Sequence, residues 1–392
     1  MSLLINTISA IGNNSSVAPL LIRDCAIENP VKIGLTYKQN AKTDKKIAQE
    51  ALRERAIEEY GTSAIWLGGI PLMNKLCNFA IKKIGYNPEI NPKLFKESKN
   101  QGLKYNIENF SKKAPQATDE LKKILKNKKT YEALLAGKFI ASTAIPIYLM
   151  GFLLPKLNFG LTKKLREEKK TNKEINFKGN LISTIANLTT PNQMAITDVG
   201  LSVGRIKSAR NKNEKLETAF KMSGMMLLNY VAPSWIQKGL DLISKKLFNT
   251  NVDLDVKLMN DKSFVEAIKN NSLELPKENI ISYIDKNPKS AFTKLTKDYC
   301  EVKFLKDSVR DPRSFVDEEK IKSFMNNISD FIKEAENSGN IEKYAKKAIK
   351  VKSFNIILNI VSSSILLAYC LPKATFALRK KFTGKENEPG LI

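Results

Sequence analysis

Four long apolar stretches stand out from a chain that is otherwise rich in charged and polar residues. They cover Thr62–Ile81, Phe139–Leu157, Phe220–Ile243 and Phe354–Pro372. Each stretch has roughly the 20 residues that an α-helix needs to cross about 30 Å of hydrocarbon. The second and fourth carry no charge until Lys156 and Lys373, whereas the first and third each contain a lysine, Lys75 and Lys238. The pattern predicts four long helices, and the second and fourth are the better candidates for spanning a membrane.

A short basic phrase follows the second and the fourth stretch. Leu154–Lys164 reads LPKLNFGLTKK and Leu371–Lys381 reads LPKATFALRKK, so seven of eleven positions agree at one constant offset. The first and third stretches also correspond, because Pro71 and Pro233 each precede an internal lysine and then a lysine pair. Repetition of this kind indicates an internal duplication in the order A-B-A′-B′. The alternative is a chance similarity between apolar helices with basic flanks.

The duplication divides the chain into four regions. We predict an N-terminal amphipathic helical region at 1–60, a first repeat at 61–165, a central linker at 166–218 and a second repeat at 219–385, with a helical insertion at 251–351. Within the first region, Lys38–Tyr60 carries both signs of charge and a thin apolar stripe, which predicts an exposed helix. Period-two alternation is scarce and no Asn-Gly or Asp-Gly turn occurs, so the predicted fold class is all-α.

Prolines lie inside three of the apolar stretches, at Pro71, Pro146 and Pro233. A proline usually breaks a helix in the core of a soluble protein, whereas membrane helices tolerate it better because neighbouring groups satisfy the freed carbonyl. Two interpretations are therefore open. The stretches are membrane helices, or each proline divides its stretch into two short helices of a soluble bundle or of a re-entrant hairpin.

The net charge of this 392-residue chain is +25. Such a charge favours an anionic partner, which is a phospholipid surface, a nucleic acid or an acidic protein. A general bias towards lysine is the alternative explanation. The phospholipid membrane is the preferred partner, with protein partners or self-association also open. Nucleic acid is less favoured, because no recognisable reading module occurs and the aromatic residues lie mostly in the apolar stretches rather than between lysines.

The absence of histidine excludes several kinds of chemistry. A catalytic triad, a histidine general base and a histidine metal site are all impossible. The four cysteines, Cys25, Cys77, Cys300 and Cys370, form no Cys-x-x-Cys motif, so zinc and thioredoxin-type chemistry have no support. No phosphate-binding glycine loop or nucleophile motif occurs either. We therefore predict a non-enzymatic protein that needs no cofactor or metal.

The basic phrases are the predicted lipid-contacting residues. An aromatic ring beside lysines suits the membrane interface, where the ring lies among head groups and the amines reach phosphates. The predicted interface residues are Lys156, Phe159, Lys163, Lys164, Lys373, Phe376, Arg379, Lys380 and Lys381. The alternative is a solubilising helix end whose cations interact with the helix dipole.

Polar groups within the apolar stretches are a second candidate site. Lys75 and Lys238 hold related places in the two repeats, so they could face a shared cavity of a transport pathway. The favoured interpretation is that each side chain extends to a nearby membrane surface. The segment Thr189–Arg210 is predicted as a structured loop. Its Gly200 and Gly204 leave close helix approach or phosphate binding as alternatives.

These patterns favour a membrane-located scaffold or lipid-surface organiser. A duplicated transporter or channel is the second hypothesis, and a soluble basic helical protein that binds nucleic acid or an acidic partner is the third. One count disagrees with four simple spans. Residues 82–138 contain 14 Lys and Arg and residues 158–219 contain 12, without the asymmetry that membrane topology usually shows.

Overall fold

The computed structural model of the chain describes residues 5–9, 21–165, 190–276 and 279–391. Within these ranges the regular structure is helical and contains no β-strand, and two isolated bridges, Ser98 with Gln101 and Phe304 with Arg310, are the nearest approach to one. The all-α prediction is therefore confirmed.

Between residues 21 and 165 the chain forms seven α-helices, joined in part by π-helical turns. They are a π-helical turn Ile22–Glu28, α1 Asn29–Asn40, α2 Lys45–Ala64, a π-helical turn Ile65–Gly69, α3 Ile70–Lys83, a 3-10 turn Pro92–Phe95, α4 Leu103–Phe110, α5 Pro115–Lys126, α6 Lys128–Tyr148, a π-helical turn Leu149–Leu153 and α7 Leu154–Leu165.

The described part of the second half follows a related plan with more short helices between the long ones. It comprises α8 Thr190–Ser208, α9 Lys212–Tyr230, α10 Ala232–Phe248, α11 Val256–Met259, α12 Lys262–Lys269, α13 Ile280–Lys286, α14 Ala291–Tyr299, a 3-10 turn Lys306–Ser308, α15 Glu318–Asn337, α16 Ile341–Ile365, a π-helical turn Leu366–Cys370 and α17 Leu371–Thr383.

Side-chain caps explain where several long helices begin. Asp44 accepts hydrogen bonds from the first amides of α2, and Asn211 does the same for α9. Asp317 and Asn340 cap α15 and α16 in the same way. A cap satisfies backbone amides that have no partner in the first helical turn, so it defines the start of the helix.

Each π-helical turn ends two residues before a proline. The four prolines are Pro30, Pro71, Pro155 and Pro372. A proline lacks an amide hydrogen and its ring pushes away the carbonyl four residues earlier, and a wider π-turn accommodates both effects without ending the helix. The turns Leu149–Leu153 and Leu366–Cys370 are related by the same offset as the two basic phrases that follow them.

The long helices, α1–α3, α6–α10, α16 and α17, form one bundle. Asn158 of α7 donates to the Glu54 carbonyl of α2, and Gly61 of α2 contacts Leu154 of α7, so these two helices run antiparallel. In the second half, Gly224 of α9 contacts Leu371 of α17 in the same antiparallel manner. α3 packs against α6 as α10 packs against α16. We call the end of the bundle at which α1, α7, α8 and α17 finish the base.

Close helix approach joins the two halves of the bundle. α8 runs parallel to α6, because Gln193 donates to Ser142 near the start and Gly204 lies against Gly151 further along. A Cβ atom on Gly204 would lie 2.8 Å from the Gly151 Cα atom, so only glycine permits this separation. On the other side of this interface, α1 and the π-helical turn before it pack against α16, α17 and the π-helical turn between them.

A second group of helices, the cap, lies at the end opposite the base. It consists of residues 84–127 and 249–340, which connect α3 to α6 and α10 to α16. The two connections bind each other directly, because Gln101 exchanges two hydrogen bonds with the backbone of Val316, and Asn106 donates to the Pro312 carbonyl. The cap has apolar cores of its own, built around Leu121, Ile284 and Phe331.

The bundle and the cap differ in what they expose. Exposed large apolar side chains cover the outside of the bundle, with Trp235 68% exposed and Phe354 62% exposed. Among the described residues of the cap, only Leu125 and Ile84, which adjoins α3, are such side chains. Conversely, the bundle interior buries charged and polar side chains such as Glu28. The bundle therefore exposes large apolar side chains while burying charged residues beside apolar ones such as Met150.

Three sequence-based boundaries need correction. The Lys38–Tyr60 region was expected to be an exposed helix, but α2 buries Ala48, Glu50 and Glu54 within the bundle. Residues 166–189 of the predicted linker lie outside the described part of the chain. The rest contains α8, which packs against α6, so the predicted loop Thr189–Arg210 is helical from Thr190 to Ser208. The insertion ends near residue 340, because α16 begins at Ile341, before the predicted boundary at 351.

Candidate functional site

A polar cavity, the chamber, lies inside the base of the bundle. Its volume is about 100 Å³, and α2, α7, α9 and α17 supply most of its walls. Five carboxylates line it, from Glu54, Glu58, Glu214, Glu217 and Glu388. Five cations also line it, from Arg55, Arg205, Arg210, Lys221 and Arg379. The formal charges of this lining balance.

One side of the chamber is built from Glu54, Arg210 and Phe159. The Arg210 guanidinium donates two hydrogen bonds to the Glu54 carboxylate, at 3.1 and 3.0 Å. Its central carbon lies 4.1 Å from the centre of the Phe159 ring. A paired carboxylate and an aromatic face together fix a guanidinium in one orientation. The phenylalanine of the first basic phrase therefore supports an internal ion pair.

The opposite side repeats this arrangement with Glu217, Arg379 and Phe376. Arg379 donates to Glu217 at 2.8 and 2.5 Å, and its central carbon lies 5.1 Å from the centre of the Phe376 ring. Phe159 and Phe376 hold the same position in the two basic phrases. Each side thus contains a glutamate, an arginine and the phenylalanine of a basic phrase. The two arginines come from different places, because Arg210 follows α8 whereas Arg379 lies in the second basic phrase, where the first has Thr162.

Glu58 connects the two sides of the chamber. One oxygen of its carboxylate accepts hydrogen bonds from Arg205 at 2.7 Å and from Lys221 at 3.0 Å. Glu58 and Lys221 are related by the same sequence offset as Glu54 and Glu217. Corresponding positions on α2 and α9 therefore carry opposite charges, which lets them pair across the interface between the halves.

Further ion pairs continue from the chamber into the bundle. Arg55 bonds Glu59 at 2.8 Å, and Lys32 lies 3.1 Å from Glu28 and 3.7 Å from Glu59. Deeper still, the Tyr230 hydroxyl donates to Asp198. Buried charges of this kind are costly unless they are paired and hydrogen-bonded, and these contacts supply the pairing.

Residues 384–391, the closing segment, cover the chamber at the base. The amide of Glu388 donates to the Asn40 side chain at 3.0 Å, and the Asn211 side chain donates to the Pro389 carbonyl at 2.6 Å. The Glu388 carboxylate accepts a hydrogen bond from Arg379 at 3.1 Å. Burial would raise the pKa of the Glu388 carboxyl, but the nearby cations, Arg379 first, hold it below its ordinary value. Glu388 is therefore ionised at neutral pH.

Three buried atoms around the chamber lack a hydrogen-bond partner within the described part of the chain. They are the Nε atoms of Arg55 and Arg205 and the Oδ1 atom of Asn158. The unmet hydrogen-bonding capacity comprises two donors from cations and one amide acceptor. These three atoms have almost no surface open to the cavity. The cavity itself has room for several water molecules or a small polar solute.

The structure places the predicted interface residues in two different environments. Lys156, Lys164, Lys373, Lys380 and Lys381 are exposed, and Lys163 is half-buried. In contrast, Phe159 and Phe376 line the chamber, and the Arg379 side chain is only 1% exposed. Arg379 is thus an internal residue rather than a lipid-contacting one, because Glu217 and Glu388 take up its donors.

Lys75 and Lys238 lie apart from the chamber. Both side chains are exposed, on α3 and α10 respectively, and neither lines the cavity. Gly200 and Gly204 serve close helix packing, since they lie against Ile147 and Gly151 of the neighbouring helical length.

Most chamber residues carry little signal in the sequence. Glu54 and Glu58 precede the first apolar stretch, Glu217 precedes the third, and Lys221 is the second residue of the third. A usable signal was present, because the offset that relates Lys75 to Lys238 is also the offset from Glu54 to Glu217. Extending the alignment of the repeats towards the N-terminus would have found the pair of glutamates.

The lining combines five cations with five carboxylates, an arrangement suited to recognising charge. Among the described residues, no three metal-ligating side chains come together, and the chamber lining contains no cysteine or serine nucleophile. Comparison with protein-family models, with curated proteins and with solved structures gave no match.

Proposed function

We propose that this chain is a non-enzymatic integral membrane protein built from two copies of one helical unit. Lipid surrounds the bundle, the cap lies in water on one side, and the chamber lies near the opposite membrane surface. In this role the bundle is a rigid anchor that presents the cap, and the protein is a membrane scaffold.

The many large apolar side chains exposed on the bundle surface are the observation that carries the proposal. In water, an exposed Trp, Phe or Leu forgoes about 1.5–3 kcal/mol of hydrophobic stabilisation, and many such side chains cover the bundle. A soluble monomer rarely exposes apolar surface on this scale. The cap belongs to the same chain and conceals nearly all of its large apolar residues, so overall composition does not explain the difference.

Helix length supports the same proposal. Lys128–Leu165 and Ile341–Thr383 are long and apolar enough to cross a membrane, and 33% of the most apolar 18-residue window in each is buried. A core helix of a soluble protein passes the same test of length and composition, but it would be mostly buried. Lipid contact on the remaining surface accounts for this exposure.

The duplication rests on agreement between independent features. The π-helical turns of α6–α7 and α16–α17 share the offset of the basic phrases. Gly61 contacts Leu154 as Gly224 contacts Leu371. The glutamate and the phenylalanine on each side of the chamber also hold corresponding positions in the sequence, whereas the two arginines do not. α2 and α9 run in the same direction, so the proposed repeats are parallel, like those of transporters whose symmetry axis follows the membrane normal.

The exposed lysines of the basic phrases are proposed to contact anionic lipid. Lys156, Lys164, Lys373, Lys380 and Lys381 lie on the outside of α7 and α17 near the base. Each lysine near an anionic membrane surface contributes on the order of 1 kcal/mol. The internal Phe159, Phe376 and Arg379 are excluded from this set.

Membrane fractionation tests the proposal. We expect the full chain, expressed in cells, to sediment with membranes, to resist extraction at alkaline pH in carbonate, and to dissolve only in detergent. A chain that is attached through its lysines alone should instead be released by carbonate or by high salt. Recovery as a detergent-free soluble monomer would contradict the membrane proposal.

A transporter or channel is the second candidate, and the chamber favours it. A polar cavity between two repeats of a membrane protein is where substrate sites of such proteins lie. The test is solute flux into vesicles that contain the purified protein, compared with a Glu58→Gln variant that loses the carboxylate joining the two halves. Solute flux that depends on Glu58 would support transport. Flux no greater than that of protein-free vesicles would contradict transport and favour the scaffold role.

A further inference from the structure

The closing segment places one carboxylate where the chamber would otherwise be cationic. Without Glu388, the lining has five cations and four carboxylates. Glu388 differs from the other four because it is on residues 384–391, which lie outside the bundle helices. Its side chain is a quarter exposed, at the mouth of the cavity. The closing segment therefore supplies the carboxylate that balances the fifth cation of the chamber.

The closing segment is held mainly by polar contacts. They include hydrogen bonds with Asn40, Asn211 and Gln39, and two from Arg379 to the Glu386 carbonyl and the Glu388 carboxylate. Glu386 also forms ion pairs with Lys42 and Lys380 on the surface. Exposed ion pairs of this kind contribute at most about 1 kcal/mol each. No large apolar side chain other than Leu391 is buried in the segment. Release of the closing segment would therefore leave the bundle helices in place.

We propose that the chamber is a binding site for a small carboxylate and that Glu388 occupies the carboxylate position in its absence. Arg379 supplies a donor that already binds the Glu388 carboxylate. Arg55, Arg205 and Lys221 also line the cavity and add positive charge that attracts a carboxylate. The cavity has room for such a solute beyond its carboxylate. This site does not depend on membrane embedding.

A tethered competitor should mask the site in the wild-type chain. The effective concentration of a group on a short flexible segment is on the order of millimolar. A free carboxylate that binds in the millimolar range or more weakly must displace Glu388 before it can bind. The masking factor is one plus the ratio of effective concentration to dissociation constant, so it is about 2 when both are millimolar. We therefore expect Glu388→Gln to bind propionate, which resembles the glutamate side chain, about 2-fold more tightly than the wild type does.

The experiment is calorimetric titration of the purified full chain with propionate at constant ionic strength. Glu89→Gln is the matched control, because it removes the same charge from an exposed side chain outside both the chamber and the closing segment. The proposal predicts a gain for Glu388→Gln and none for Glu89→Gln. Equal gains in both variants, an equal response to chloride, or no binding to a folded Glu388→Gln would each overturn it.

A second measurement uses the wild-type chain and needs no variant. If propionate displaces Glu388, the closing segment is released and Lys385 becomes more accessible to trypsin. Cleavage after Lys385 should accelerate at least about 3-fold with saturating propionate and stay constant with chloride at equal ionic strength. Cleavage at an unchanged rate under saturating propionate would contradict displacement of the segment.

Discussion

Replacing Arg379 with alanine should lower the free energy of unfolding by about 3–5 kcal/mol. The Arg379 side chain is 1% exposed, bonds both oxygens of Glu217, contacts Glu388 and lies against the Phe376 ring. Without it, the buried Glu217 carboxylate keeps its desolvation cost and loses its partner. Thermal or denaturant unfolding in the detergent or buffer that keeps the chain monodisperse measures the change.

Two variants separate this effect from a general loss of charge. Lys380→Ala removes the neighbouring cation, which is exposed and pairs with Glu386 on the surface, so it should cost less than about 1 kcal/mol. The double variant Arg379→Met/Glu217→Leu should recover much of the stability, because it removes both buried charges together. If Arg379→Ala and Lys380→Ala were equally mild, the buried ion pair would have no structural role.

Replacing Arg310 with alanine should destabilise the cap by about 3–5 kcal/mol. The Arg310 side chain is fully buried, donates two hydrogen bonds to Asp285 at 2.7 and 3.0 Å, and lies 4.9 Å from the centre of the Phe110 ring. Asp285 belongs to the second connection and Phe110 to the first, so Arg310 helps to hold the two connections together. Hydrogen exchange of cap amides, compared with bundle amides, should show faster exchange in the cap.

Arg313 provides the matched control for Arg310. It lies three residues further along the same loop and pairs with Asp311 and Glu120, but its side chain is 24% exposed. Arg313→Ala should therefore cost about 1 kcal/mol or less. Similar exchange rates in both variants would mean that burial of Arg310 does not organise the cap.

The long helices could be predicted because their apolar stretches are continuous and their basic ends repeat. The offset between the two basic phrases also locates the second of two matching π-helical turns, Leu366–Cys370, from the first, Leu149–Leu153. Helix starts are local as well, since Asp44 and Asn340 cap α2 and α16 within three residues. These features depend on residues that are close in sequence, so the sequence pattern can predict them.

The chamber could not be predicted in the same way because its partners are distant in sequence. Glu54 and Arg210 are separated by 156 residues, and Glu217 and Arg379 by 162. A basic phrase on an amphipathic helix also does not reveal which cation turns inwards. Arg379 and Lys380 are adjacent, yet one is buried in ion pairs and the other is exposed on the surface.

The distribution of charge also changes how the net charge of +25 is understood. The arginines of the chamber are balanced by glutamates, so they add little to the external field. The uncompensated charge resides largely in lysines, and the basic phrases place exposed lysines near the base of the bundle. Such a surface suits anionic lipid better than a nucleic-acid groove, which would need its cations arranged along one concave face.

The central claim, that lipid surrounds the bundle, is tested most directly by tryptophan fluorescence in vesicles. The chain has two tryptophans, and Trp235 is 68% exposed on the bundle surface, so a Trp66→Phe variant reports on Trp235 alone. Embedding predicts strong quenching of Trp235 when the lipid acyl chains carry bromine, and unchanged emission in otherwise identical unbrominated vesicles. Equal emission in both lipids, from protein that floats with the vesicles, would show that the apolar face of the bundle does not contact hydrocarbon.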